Sequence, residues 1–139
     1  MLRFALSLFL LAACTAHAGP LERFAGQFRG CAVSGGEWVP IVTTLAVSGT
    51  GLSGSYLFIE SNGRSISGAI EPDGPPAGDS IAVRWRDVYG EGPALFRFSE
   101  DGDRFDGYWS TDTGEDRFTW YGVRAGDGRP APDCRVPVS

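Results

Sequence analysis

Residues 52–70 read Leu52-Ser53-Gly54-Ser55-Tyr56-Leu57-Phe58-Ile59-Glu60-Ser61-Asn62-Gly63-Arg64-Ser65-Ile66-Ser67-Gly68-Ala69-Ile70. Leu52, Tyr56 and Phe58 alternate with Ser53 and Ser55. A period of two with one apolar face is the signature of a half-buried strand. Asn62-Gly63 then interrupts the pattern with two residue types that tolerate positive φ and suit a tight turn. The stretch is a β-hairpin.

The same grammar extends in both directions. Ile81, Val83 and Trp85 alternate with Ala82, Arg84 and Arg86; Phe96 and Phe98 flank Arg97; Asp106 and Tyr108 fall between Phe105 and Trp109. Asp101-Gly102, Gly49-Thr50-Gly51 and Gly90-Glu91-Gly92 read as further turns, and Gly74-Pro75-Pro76-Ala77-Gly78 as one longer loop. Strands are expected near 23–33, 37–48, 52–60, 64–71, 80–87, 93–99, 104–110 and 117–124. Eight short strands with one apolar face bury that face most economically by closing into an up-and-down antiparallel barrel, which also removes the edges. The expected class is therefore all-β and eight-stranded. A two-sheet β-sandwich is the alternative.

A weak repeat accompanies the strands. Leu52-Ser53-Gly54-Ser55-Tyr56, Ile66-Ser67-Gly68-Ala69-Ile70 and Phe105-Asp106-Gly107-Tyr108-Trp109 share the form apolar-x-Gly-x-apolar, and Trp120-Tyr121-Gly122-Val123-Arg124 is a fourth copy ending in arginine. Glycine weakens a strand, so its recurrence on the apolar face implies a sharp bend or space for a neighbouring ring.

With Gly26-Gln27-Phe28 in the first strand and Arg124 in the last, the chain resembles the calycin-type barrels, the lipocalins and avidins. In those families the first strand carries Gly-x-Trp, and in lipocalins a late-strand arginine packs across the tryptophan to close one end. Phenylalanine stands here in the place of that tryptophan. The resemblance implies a barrel covering nearly the whole chain beyond the leader; it implies no biotin binding.

The N-terminus reads as a secretory leader of residues 1–18: Met1-Leu2-Arg3, a short apolar run from Phe4 to Ala13, then small residues. The run is too short to span a bilayer, which takes about 20 apolar residues. Ala16-His17-Ala18 fits an A-x-A cleavage site, while Leu11-Ala12-Ala13-Cys14 resembles a lipobox that would lipidate Cys14. The two routes give either a soluble periplasmic or extracellular protein, or an outer-membrane lipoprotein. The domain then occupies 19–139, with a Gly- and Pro-rich tail after Arg124. Beyond the leader only Cys31 and Cys134 remain, and in an oxidising compartment they are expected to form a disulfide.

Composition narrows the chemistry. The net charge is −5, lysine is absent, and no basic run appears, so nucleic acid is not an expected partner. His17, in the leader, is the only histidine, which excludes the common histidine-dependent nucleophilic mechanisms from the mature chain. Asp106 with Asp112 or Glu115 are the candidate carboxylates for glycoside hydrolysis, but these residues fall on outward positions and turns and read as solvated. Glu100-Asp101-Gly102-Asp103 lacks the long loop and terminal glutamate of a calcium site. No catalytic residue, metal or cofactor is expected.

The aromatic residues carry the functional expectation. Tyr56, Trp85, Trp109, Trp120 and Arg124 are the candidate ligand-binding residues, with the three tryptophans sharing one interior and Arg124 near its closed end. Trp109 and Trp120, on hairpin neighbours, are expected in ring contact. Two functions fit: an exported non-catalytic protein holding a small apolar or aromatic molecule in the barrel, or an envelope interaction or inhibitor module with a solid core. Outward Arg84, Arg86, Arg97 and Tyr108 would serve the latter.

Overall fold

The alternation that starts at Leu52 runs around a complete barrel. A computed structural model describes residues 21–126 and 128–135; the expected leader, with Cys14, lies outside the described residues. Strands β1 (Gly26–Ser34), β2 (Glu37–Ser48), β3 (Gly51–Ile59), β4 (Ser65–Pro72), β5 (Ser80–Asp87), β6 (Gly90–Phe98), β7 (Arg104–Trp109) and β8 (Phe118–Arg124) follow in chain order. Each pairs antiparallel with the next, and β8 returns to β1, closing the sheet. The up-and-down barrel is therefore the architecture, and the sandwich is excluded.

Two strand ends differ from the sequence reading. Residues 22–24 form a single 3₁₀ turn ahead of β1. Gly90-Glu91-Gly92 belongs to β6, and the turn falls instead on Val88-Tyr89, where the Asp87 carboxylate accepts the Tyr89 N–H at 2.8 Å. Gly92 lies opposite Trp85 in the ladder. A Cβ there would strike the Ser110 carbonyl, so the glycine leaves room for that carbonyl, which accepts the Trp85 indole N–H.

Repeated glycines on the inner face make the expected space for rings and, in place of a bend, admit close approach of a neighbouring strand. A Cβ on Gly68 would fall inside the Tyr56 ring, and one on Gly122 would approach Phe105 Cε1 to 2.6 Å and Phe28 Cβ to 2.8 Å. On Gly54 and Gly107 it would strike backbone carbonyls of the neighbouring strand, Thr44 and Leu95. Two glycines therefore make room for rings, and two permit close strand approach.

One end of the barrel is sealed. Phe24, from the 3₁₀ turn, stacks on Phe98 with centroids 4.3 Å apart, and Phe28 and Phe105 pack edge-on beneath. The Arg124 guanidinium lies 4.8 Å over the Phe28 ring. It donates to the Ala25 carbonyl (2.7 Å), the Arg23 carbonyl (2.6 Å) and the Gly102 carbonyl (2.9 Å). Gly26, at φ +130°, leaves the space that this guanidinium occupies.

Outside the barrel, Cys31 and Cys134 are disulfide-bonded, with Cα atoms 5.5 Å apart. Tyr121 donates its hydroxyl to Cys31 Sγ at 3.2 Å, and Trp38 meets the Tyr121 ring edge-on. Trp38 is thus an outer-face residue under the returning tail.

Two stability results are expected. Gly122→Ala forces a methyl between Phe28 and Phe105 and should cost about 1–3 kcal/mol, the usual range for an overpacked core, measured by urea unfolding. Replacing Cys31 and Cys134 together by serine opens a crosslink spanning 103 residues and should lower stability by up to about 4.7 kcal/mol. An unchanged urea midpoint in the serine variant would contradict the second expectation.

Candidate functional site

Opposite the sealed end, the barrel opens into a cavity of about 450 Å³. Its walls come from the strand ends nearest the β1–β2, β3–β4 and β5–β6 turns, with Trp109 at the end of β7 and Trp120 in β8. These turns share an end because an up-and-down chain reverses with every strand. Val39, Ile41 and Phe58 supply aliphatic and aromatic floor, and Tyr56, Trp85, Trp109 and Trp120 supply the larger surfaces.

Four of the five candidate residues are therefore brought together, and their packing forms a connected set. Trp85 meets Trp109 edge-on at 5.2 Å, while Trp120 meets Tyr56 at 5.0 Å and Phe96 at 4.9 Å. Trp120 and Trp85 are buried; Trp109 is half-buried at the mouth. The expected contact between Trp109 and Trp120 is replaced by another. In the β7–β8 ladder Trp109 faces Phe118 and Trp120 faces Gly107, so Trp109 packs on Phe118 at 4.6 Å. Two residues of stagger set the indoles at different depths.

Arg124 does not join this set. It stands at the sealed end, held by three carbonyls and the Phe28 ring, and it lines no part of the cavity. Its own geometry is that of a closing residue.

The polar tips of the aromatic residues are engaged by the protein itself. Indole N–H groups donate to the Ser110 carbonyl from Trp85 (2.9 Å), to the Val33 carbonyl from Trp109 (2.9 Å) and to Thr43 Oγ1 from Trp120 (3.1 Å). The Tyr56 hydroxyl donates to Asp87 Oδ2 at 2.7 Å, and the Tyr89 hydroxyl donates to Glu60. Each of these rings is held at its edge by one hydrogen bond.

Burial pushes the Tyr56 phenol well above its ordinary value, and the hydrogen bond to Asp87 and its negative charge add to that. The Tyr89 phenol is also raised, first by its hydrogen bond to Glu60. Both hydroxyls stay protonated through the neutral range and keep donating to the carboxylates.

Around the mouth stand three residues that reading the strands alone did not single out: Glu37, Glu60 and Asp87. Each flanks a turn, where a carboxylate reads as solvated. Their common feature is visible only when the first, third and fifth turns are placed at one end of the barrel.

Elsewhere two of the carboxylates considered for catalysis pair with arginines on the outer surface. Asp106 binds Arg104 at 2.8 Å, and Asp112 binds Arg84 through both oxygens. Arg86 lies between Glu71 and Glu91, and Tyr108 is covered by Arg117 at 4.4 Å. Asp101 caps its own turn, accepting from Asp103 N and Ser99 Oγ. Among the described residues no group of three or more His, Cys, Asp or Glu side chains is placed to hold a metal ion.

No protein-family model matches this chain, and no curated protein matches it.

The raised Tyr56 phenol sets a direction for alkaline stability. Above the ordinary phenol value of 10.0, the unfolded chain releases a proton that the folded chain keeps. Stability is therefore fully present below that value and falls as pH rises beyond it. Urea midpoints measured from neutral pH to about 11 should decline more steeply for the wild-type chain than for Tyr56→Phe. Parallel curves would show that Tyr56 does not carry the effect.

Proposed function

We propose that the protein is an exported, non-catalytic binding protein that holds a small apolar or aromatic molecule in the open end of its barrel. The observation that carries this reading is the cavity itself. Its volume of about 450 Å³ lies within the range of small-molecule sites, roughly 300–1,000 Å³. It is walled by aromatic faces whose edges are already bonded to the frame, so the walls are set before a ligand arrives. Binding replaces water against these faces, and each Å² of apolar surface removed from water contributes about 25 cal/mol.

The seal formed by Phe28, Gly26 and Arg124 supports a calycin-type reading of the barrel, in which one end is closed and ligands enter by the other. Export is supported by the Cys31–Cys134 disulfide, which suits an oxidising compartment, together with the leader pattern of residues 1–18. In this reading Tyr56, Trp85, Trp109 and Trp120 contact the ligand, and Arg124 maintains the closed end.

Titration with the neutral dye N-phenyl-1-naphthylamine tests the proposal. One molecule should bind per barrel, with quenching of tryptophan fluorescence and enhancement of dye emission. Trp109→Ala, at the half-buried rim, should weaken dye binding by about tenfold, or about 1.4 kcal/mol, while the chain stays folded. Absence of saturable binding up to the dye's solubility limit would refute the reading.

A further inference from the structure

We propose that the ligand of this cavity is an organic cation: a quaternary ammonium or protonated amine on an apolar or aromatic body. The inference rests on the barrel-mouth reading above and adds the charge of the ligand to it.

Three independent hairpins each place one carboxylate at the mouth: Glu37 from β1–β2, Glu60 from β3–β4 and Asp87 from β5–β6. No arginine lines the cavity. None of these three carboxylates takes part in an ion pair among the described residues, although outer-surface acids such as Asp79, Asp103, Asp106 and Asp112 all do. Arg64 is the cation whose charge reaches the rim, acting on the Tyr89 phenol from the β3–β4 turn. A cleft lined by one sign of charge, with low-dielectric walls, concentrates its field at the opening.

The walls add to this field. Trp85, Trp109 and Trp120 turn their N–H groups to acceptors of the frame, while the Tyr56 hydroxyl donates to Asp87 on the rim, so the four rings offer the cavity π systems whose donors are already engaged. Perpendicular packing of Trp85 against Trp109, and of Tyr56 against Trp120, exposes faces in more than one direction. Such boxes attract ammonium groups. The Tyr56 and Tyr89 hydroxyls spend their donors on Asp87 and Glu60, and, Glu37 aside, the remaining polar side chains of the lining, Ser34, Ser61 and Asn62, are neutral. An anionic ligand would find no cationic side chain on the lining.

The carboxylates ring the opening instead of converging on one point, and no metal-holding cluster of three occurs among the described residues. Hard cations need several oxygens at short range. A bulky cation with diffuse charge and apolar surface matches both the ring of acids and the aromatic walls.

Three ligands of one shape provide the test: benzyltrimethylammonium, its uncharged carbon isostere neopentylbenzene, and phenylmethanesulfonate. With the full exported chain, calorimetry or tryptophan quenching should show the cation binding at least about tenfold tighter than the neutral isostere, with the anion weakest. The Glu37→Gln/Glu60→Gln/Asp87→Asn variant should bring the cation-to-neutral ratio close to one. If that triple variant fails to fold, Glu37→Gln alone, at an exposed rim position, should lower the ratio by about twofold to threefold. Neutral binding as tight as that of the cation would overturn the charge assignment while leaving the cavity reading intact. Binding of none of the three would overturn both.

Discussion

Strands β1 and β8 meet along five residue pairs, from Phe28 with Arg124 to Ala32 with Trp120, and Gly30 faces Gly122 at the centre. A Cβ on Gly30 would strike the Tyr121 carbonyl; on Gly122 it would strike Phe28 and Phe105. Only a glycine pair lets the first and last strands approach closely enough while two phenylalanines fill the interior beneath them. Without this seam the sheet has two edges and an open groove. The same few residues hold it from both sides. Inside, Phe28 and Phe105 pack at 5.4 Å; outside, Cys31 carries the disulfide and faces Tyr121 in the ladder.

The seam also separates the two ends of the molecule. At one end Arg124 ties β8 to the carbonyls of Arg23, Ala25 and Gly102, and Phe24 fills the bore. At the other end Ala32 and Trp120 are paired across the seam, and both line the cavity. The chain approaches β1 from the sealed side, so its 3₁₀ turn is available as a plug there. Among the described residues, the open side carries the β1–β2, β3–β4 and β5–β6 turns and the longer β7–β8 connection.

Much of this architecture was legible because a period of two is strict: once Leu52, Tyr56 and Phe58 share a face, every inward residue of β3 is assigned. Glycines on that face were also telling, since a strand retains them where a ring or a neighbouring backbone needs the space. Less legible were features that depend on which elements become neighbours. Gly90-Glu91-Gly92 resembles a turn, yet Gly92 belongs to a ladder, where the Ser110 carbonyl that accepts the Trp85 indole N–H occupies the space a side chain would need. Asn62-Gly63 was identified as a turn, although Gly63 alone takes positive φ and Asn62 acts through its side chain, accepting the Arg64 N–H. Relative depth of Trp109 and Trp120 follows from ladder stagger, which alternation does not fix. The acidic rim needed topology first: Glu37, Glu60 and Asp87 are far apart in sequence, and they converge only because alternate turns share an end.

The distribution of aromatic types along the bore follows from the same polarity. Phe24, Phe28, Phe98 and Phe105 pack together in the sealed half, where a ring with a polar edge would need a partner, while Phe58 and Phe118 accompany the tryptophans in the open half. Trp85, Trp109, Trp120 and Tyr56 occupy the open half, where partners exist: the Ser110 and Val33 carbonyls, the Thr43 hydroxyl and the Asp87 carboxylate. A buried indole N–H left without an acceptor costs about 1–3 kcal/mol, so each tryptophan is confined to a site that supplies one. No buried side-chain nitrogen or oxygen among the described residues lacks a partner. The frame that satisfies these edges also fixes the orientation of the faces. The direction of each indole N–H, into a carbonyl or hydroxyl of the barrel, is thus a consequence of how the open half satisfies its own hydrogen bonds.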